Sequence, residues 1–170
     1  MAMVCLAGCD DATAHMLAET YRKEYRAMLD KGERHEPLYA GARAAVERLS
    51  AGEANVLGIA TGKGLNGVRR ILDLHALASH FTTLQTPDHN PSKPHPGMLL
   101  RAMEETGVDR RHTVMIGDTS FDMETARSAG ARAIGVTWGY HPRADLEAAG
   151  ADIIIDDYTQ LDDAIEKVLS

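Results

Sequence analysis

Apolar positions along this chain recur with two distinct periods. Over residues 13–29, Met16, Leu17, Tyr21, Tyr25, Met28 and Leu29 fall near a 3.6-residue spacing with charged residues between them, which predicts an amphipathic helix. Gly32 and Pro37 then punctuate the chain. A second short helix is predicted over 39–50, with Ala42, Ala45, Val46 and Leu49 on one face. From Asn55 onward, short apolar runs alternate with helical stretches. Strands are expected at 56–60, 81–85, 113–116, 133–136 and 152–155. Helices are expected at 65–75, 97–106 and 121–129, and after each of the last two strands. This alternation predicts an α/β fold whose parallel sheet is covered on both faces. Ligands in such folds sit beyond the carboxyl ends of the strands. The loops after Ala60, Gln85, Ile116 and Val136 are therefore where chemistry is expected.

Composition narrows the function classes. A chain of 170 residues with 44 % hydrophobic and 25 % charged positions suits one globular domain. The 18 basic and 25 acidic side chains give a net charge of −7, which argues against a general nucleic-acid or membrane-surface binder. Aromatic residues make up only 5 %, too few for base-stacking platforms. No apolar run approaches the roughly 20 residues of a transmembrane helix. Cys5 and Cys9 make no disulfide framework and no CxxC site, so a reducing cytoplasm is the expected compartment. The run from Leu6 to Cys9 imitates a lipoprotein cleavage box, but the eight residues before Cys9 include no basic one, and the reading is rejected.

Three loops carry candidate chemistry. Gly62, Gly64 and Gly67 follow a strand and open a helix in a GxGxxG pattern, with Asp88 about 20 residues further on. A dinucleotide-binding protein is thus one hypothesis, although that fingerprint belongs to a first strand–helix turn and here follows a long helical stretch. Thr61 and Gly62 also present a hydroxyl and an N–H to a phosphate. In the loop 91–96, three prolines surround Lys93 and pin its ammonium near the strand ends; His95 beside it has no partner at metal-ligand spacing. The segment 114–123 ends an apolar strand in Gly117 and Asp118, with Asp122 in the next helical turn. Two such carboxylates suit a hard divalent ion such as Mg²⁺, while Asp122 or Ser120 also suits a helix cap. A response-regulator receiver needs its acceptor aspartate before the threonine and lysine; here the order is Thr61, Lys93, Asp118.

Taken together, Thr61, Lys93 and the run from Gly117 to Met123 resemble three of the four motifs of the haloacid dehalogenase superfamily. The phrases IATGK, SKPHPGMLLRAME, VMIGDTSFDMETARSAGARAIGVTWGY and GADIIIDDYTQL resemble its phosphoglycolate-phosphatase-like branch, in that branch's order. The resemblance implies a three-layer Rossmann-like parallel sheet over residues 37–170, and a remnant of a helical cap over 1–36. It also implies hydrolysis of a small phosphorylated metabolite through an aspartyl-phosphate with Mg²⁺. Thr61 and Gly62 would hold the phosphoryl oxygens, Lys93 would neutralise developing charge, and Asp118 with Asp122 would serve the metal.

The family's opening run, Asp-x-Asp-Gly-Thr, does not occur in the chain. Two readings of the start follow. In one, Met3 to Gly8 forms the central strand and Cys9 stands at the nucleophile position. In the other, which we favour, residues 1–31 resemble the latter half of the cap. The missing strand would then lie between those ending at Ala60 and Ile116, leaving an inactive binding relic, or a chain completed by homo-oligomerisation or strand exchange. Trp138, Gly139 and Tyr140 are expected either to line the pocket or to pack in the core or at the rim.

Overall fold

The computed structural model describes residues 36–170 together with Ala12, Thr13, Met16, Glu19, Thr20 and Lys23. The chain divides into two compact units, Met1–Pro37 and Leu38–Ser170. In the first unit, the six described residues between 12 and 23 are helical. The remainder of the helix expected over 13–29, the strand expected in one reading at Met3 to Gly8, and Cys9 lie outside the described residues.

In the second unit the expected alternation is realised. In chain order its elements are α1 (Ala42–Ser50), β1 (Gly58–Ala60), α2 (Leu65–Leu74), β2 (Thr83–Gln85), α3 (Gly97–Thr106) and β3 (Val114–Gly117). They continue with α4 (Ser120–Ala129), β4 (Arg132–Val136), α5 (Arg143–Ala148), β5 (Ile153–Ile155) and α6 (Leu161–Leu169). All the strand pairs are parallel. They form two sheets, β1–β2 and β3–β4–β5, with no strand pairing between β1 and β3. The run expected from Val56 is a strand only from Gly58, where the register with β2 begins at Thr83.

Side-chain alternation along the strands builds the layers. On one face of the larger sheet, Met115 and Ala133 pack against Leu99 of α3, Met123, Ala126 and Ala129 of α4, and Leu146 of α5. The opposite face carries Ile134, Val136 and Ile155, covered by Ala45 of α1 and by Leu161, Ala164 and Val168 of α6. In the smaller sheet, Ile59 and Leu84 pack against Val68 and Leu72 of α2. The result is a helix–sheet–helix sandwich, the α/β architecture expected from the sequence.

A polar seam ties β2 to α3. The buried Thr83 hydroxyl donates to Glu105 Oε2 (2.5 Å), and the Gln85 amide donates to both Thr83 Oγ1 (2.7 Å) and Glu105 Oε2 (2.8 Å). These donors hold the Glu105 carboxyl below its ordinary range, outweighing a smaller opposing effect of burial.

Two measurements check this packing. Leu146 is fully buried, so Leu146→Ala should lower the unfolding free energy by about 2–5 kcal/mol in urea denaturation. Leu100→Ala, at a position 49 % exposed, should change it by less than about 0.5 kcal/mol. Because Glu105 has a depressed folded pKa, its contribution is present above the unfolded carboxyl's titration near pH ~4.3 and is lost as pH falls through the folded value. Glu105→Gln should therefore flatten the acid limb of the urea midpoint measured against pH.

Candidate active site

The polar groups of the site lie on loops at the carboxyl ends of the strands. Strand β3 ends at Gly117, and Thr119 caps α4. Asp122 donates its backbone N–H to Thr119 Oγ1 (3.3 Å), while Asp122 Oδ2 accepts from the Thr119 N–H (3.1 Å) and hydroxyl (2.7 Å). This reciprocal capping box satisfies free donors of the first turn. It also folds Asp122 back over the strand end. A Cβ built on Gly117 would overlap Asp122 Cβ, so only glycine permits the approach.

The remaining oxygen of Asp122 meets Lys93. Lys93 Nζ donates to Asp122 Oδ1 at 2.5 Å, and the two side chains are 16 % and 5 % exposed. The loop after β2 is itself held in shape. Asn90 Nδ2 donates to Gln85 Oε1 and to the Thr86 carbonyl, each at 3.1 Å. His95, the residue weighed and set aside as a metal ligand, accepts from the Gly97 N–H at the start of α3 (3.0 Å).

Asp118 is fixed from the other side. Its Oδ2 accepts from the Tyr140 N–H (2.9 Å) and its carbonyl from the His141 N–H (3.1 Å). A Cβ on Gly139 would overlap Asp118 Cβ, so the loop after β4 presses directly on the carboxylate. His141 Nδ1 accepts from the Ser120 N–H (3.1 Å), which ties the same loop to the start of α4. Trp138 packs on Tyr158 with ring centroids 4.5 Å apart, so it belongs to the core, whereas Tyr140 is 86 % exposed.

Thr61 and Gly62 stand at the carboxyl end of β1. Thr61 Oγ1 accepts from the Lys63 N–H (3.1 Å), and among the described residues no acceptor takes its hydroxyl proton. The space around Gly62 is open. Among the described residues, Lys93 is joined directly to Asp122, and neither Thr61 nor Gly62 is hydrogen-bonded to Lys93, Asp118 or Asp122. The glycine-rich loop takes a different role from the one a dinucleotide would need. Asp88 Oδ2 accepts from the Leu65 N–H (2.8 Å) and the Thr86 hydroxyl (2.8 Å), and these two bonds lower its pKa. Its carboxylate thus occupies the N-terminus of α2, where a pyrophosphate would sit.

Among the described residues no group of three or more His, Cys, Asp or Glu side chains converges as a metal cage. Asp122, expected beside Asp118 as a metal ligand, has both oxygens engaged by Lys93 and Thr119. Asp118 keeps Oδ1 without a hydrogen bond from the described residues. Sequence reasoning missed Thr119 and His141. The spacing from Thr119 to Asp122 was the available signal for the first; nothing in the sequence marks the second.

The haloacid dehalogenase-like hydrolase family matches residues 7–136. The chain belongs to this family. Among haloacid dehalogenase-like relatives, a probable phosphatase, IndB, of Dickeya dadantii is 37 % identical over 123 residues, covering 71 % of this chain and 53 % of that protein. A phosphoglycolate phosphatase of Photobacterium profundum is 30 % identical over 152 residues, covering 85 % of this chain and 65 % of its own length. A solved hydrolase from Pseudomonas syringae superposes with a TM-score of 0.76 at 26 % identity, covering 95 % of this chain and 76 % of that one. The chain therefore spans less than two thirds of these two curated relatives. No helix among the described residues is long and apolar enough to cross a membrane.

The buried Lys93–Asp122 pair yields a double-mutant test. Lys93→Met alone leaves an uncompensated buried carboxylate and should cost about 3–5 kcal/mol. Combining it with Asp122→Asn, which keeps an acceptor for Thr119, should recover part of that loss. Urea unfolding of the two single variants and the double variant measures the coupling.

Proposed function

We propose that this chain carries the phosphate- and metal-handling half of a phosphohydrolase that acts on a small phosphate monoester. One observation supports this reading above the others: a buried carboxylate, Asp122, holds the Lys93 ammonium at the carboxyl ends of the strands. Anchored there, Lys93 offers its remaining N–H groups to a phosphoryl oxygen without reorganising, and such preorganisation is where most electrostatic catalysis lies. Thr61 donates its hydroxyl proton, and the Gly62 N–H lies in open space beside it.

Mg²⁺ is the metal that suits the donor set. It needs only one or two carboxylates and keeps several waters. Asp118 fits as that carboxylate, since Tyr140 fixes one oxygen and the other has no hydrogen bond from the described residues. A bound Mg²⁺ supplies charge neutralisation for the phosphoryl oxygens. Asp122 serves the site through Lys93 rather than as a ligand. In the phosphatase relatives' family an aspartate forms a phosphoenzyme, and the run that carries it does not occur in this sequence. The residues of this chain therefore account for binding and charge stabilisation. Binding without turnover is the second reading, and the absence of that run favours it for the 170 residues alone.

Calorimetry with inorganic phosphate and Mg²⁺, beside a p-nitrophenyl phosphate assay, tests both. Phosphate binding should require Mg²⁺ and weaken at least tenfold in Asp118→Asn. Any turnover should fall about 10²–10³-fold in Lys93→Met, as for loss of a key oxyanion donor. Phosphate binding indifferent to Mg²⁺ and to both substitutions would overturn the proposal. Binding with no turnover would assign the second reading.

A further inference from the structure

Arginine is concentrated at one place in the Leu38–Ser170 unit, away from the candidate active site. Arg110 and Arg111 stand in the turn before β3, Arg127 in the last turn of α4, and Arg132 at the first residue of β4. All four line one cavity of about 680 Å³, together with His112 and a single acidic side chain, Asp152. Lys93, Asp118 and Asp122 lie at the carboxyl ends of the strands, whereas this cavity lies at the amino ends of β3, β4 and β5. In a chain of net charge −7, four arginines against one acidic side chain reverse the sign of the charge locally.

Packing fixes where these cations stand. Arg111 Nε donates to Asp109 Oδ1 (3.1 Å), and Arg132 Nη1 donates to Asp152 Oδ1 (3.5 Å), whose Oδ2 accepts from the Ala133 N–H (2.8 Å). Among the described residues, the guanidiniums of Arg110 and Arg127 have no hydrogen bond or ion pair. Both stems nonetheless lie against backbone: a Cβ on Gly130 would press on Arg110 Cδ, and one on Gly150 would overlap Arg127. The two arginines are thus held at the cavity wall with their donors unused. Arg127 also suits the negative end of α4. That accounts for one of the four, since the other three lie outside the α-helices.

We propose that this cavity binds a small anion carrying two linked phosphoryl groups, free or as the diphosphate of a nucleotide. A planar carboxylate offers one edge to one guanidinium fork, whereas the tetrahedral oxygens of a phosphoryl group accept from cations on several sides. These arginines come from the turn before β3, from the end of α4 and from the start of β4, an arrangement of the second kind. Two guanidiniums with all their donors available, and two more with donors left over, serve a longer anion than orthophosphate. The cavity is also of the size that small-molecule ligands occupy. Because it lies at the opposite ends of the strands from Lys93 and Asp118, it takes its ligand without Mg²⁺.

The probe is methylenediphosphonate, whose bridging carbon resists hydrolysis, titrated into the intact 170-residue chain in EDTA and followed by calorimetry and amide chemical shifts. Binding should saturate below about 1 mM at about 50 mM salt, and weaken at least tenfold at about 0.5 M salt. Amide shifts should move at Gly130, Ala131, Arg132 and Gly150 and stay fixed at Thr61 and Gly62, a readout that needs no variant to fold. Arg110→Gln and Arg127→Gln, both at exposed positions, should each weaken binding at least fivefold. Inorganic phosphate, which meets fewer of the guanidiniums, should bind at least tenfold more weakly than the diphosphonate. The adenosine ester of the same diphosphonate separates the sources: equal affinity assigns a free diphosphate, at least tenfold tighter binding assigns a nucleotide, and both sustain the site. No saturation by about 1 mM, equal affinity for inorganic phosphate, or affinity unchanged in the double arginine variant would overturn the proposal. So would shifts confined to Thr61 and Gly62, which would assign the diphosphonate to the candidate active site.

Discussion

The buried ion pair between Lys93 and Asp122 is the constraint on which the site depends, because it joins parts of the fold that the sheets leave separate. Lys93 belongs to the loop after β2, and Asp122 opens the helix after β3, so the pair spans the boundary between the two sheets. Asp122 reaches that position only because Thr119 caps the helix and Gly117 offers no side chain to obstruct it. A buried pair of this kind is poor at adding net stability, since desolvation offsets much of its attraction. Its value lies in direction: it fixes where a cation points.

Around that pair, neighbouring loops are locked by the same kind of economy. Asp118 receives two N–H groups from the loop after β4, and His141 from that loop receives the Ser120 N–H in return. The Tyr140 N–H thus positions the carboxylate, whose other oxygen has no hydrogen bond from the described residues. Asp88 is used differently, since its carboxylate serves the start of α2. Aspartates at neighbouring strand ends therefore divide into one that closes a helix, one that anchors a lysine, and one with an oxygen that no described residue engages.

Much of this was legible in the sequence. Apolar runs with turn residues between them located each strand of the second unit to within a few residues, and Gly117–Asp118 with Lys93 and Thr61 fall in loops at the carboxyl ends of those strands. The family phrases named the architecture that the structure then shows. The start of β1 was not legible, because a strand's extent depends on its partner: the register with β2 begins at Gly58, and Leu57 adds only a carbonyl that accepts from the Thr82 N–H. The engagement of Asp122 by Lys93 was also hidden. Residue spacing could place Asp122 near the strand end, but not which of its oxygens would be taken. His141 acts across 21 residues of chain through a loop whose path depends on Gly139 lying against Asp118.

The break between the sheets has a mechanical consequence. A continuous sheet pulled across its strands resists through a row of backbone hydrogen bonds that must be broken one after another. Among the described residues no such row connects β1 to β3, and between them the load passes to side chains: the ammonium of Lys93 and the apolar flank of α3. Among these residues, a force directed across the strands is carried along this line by side chains alone, while each sheet keeps its own ladder.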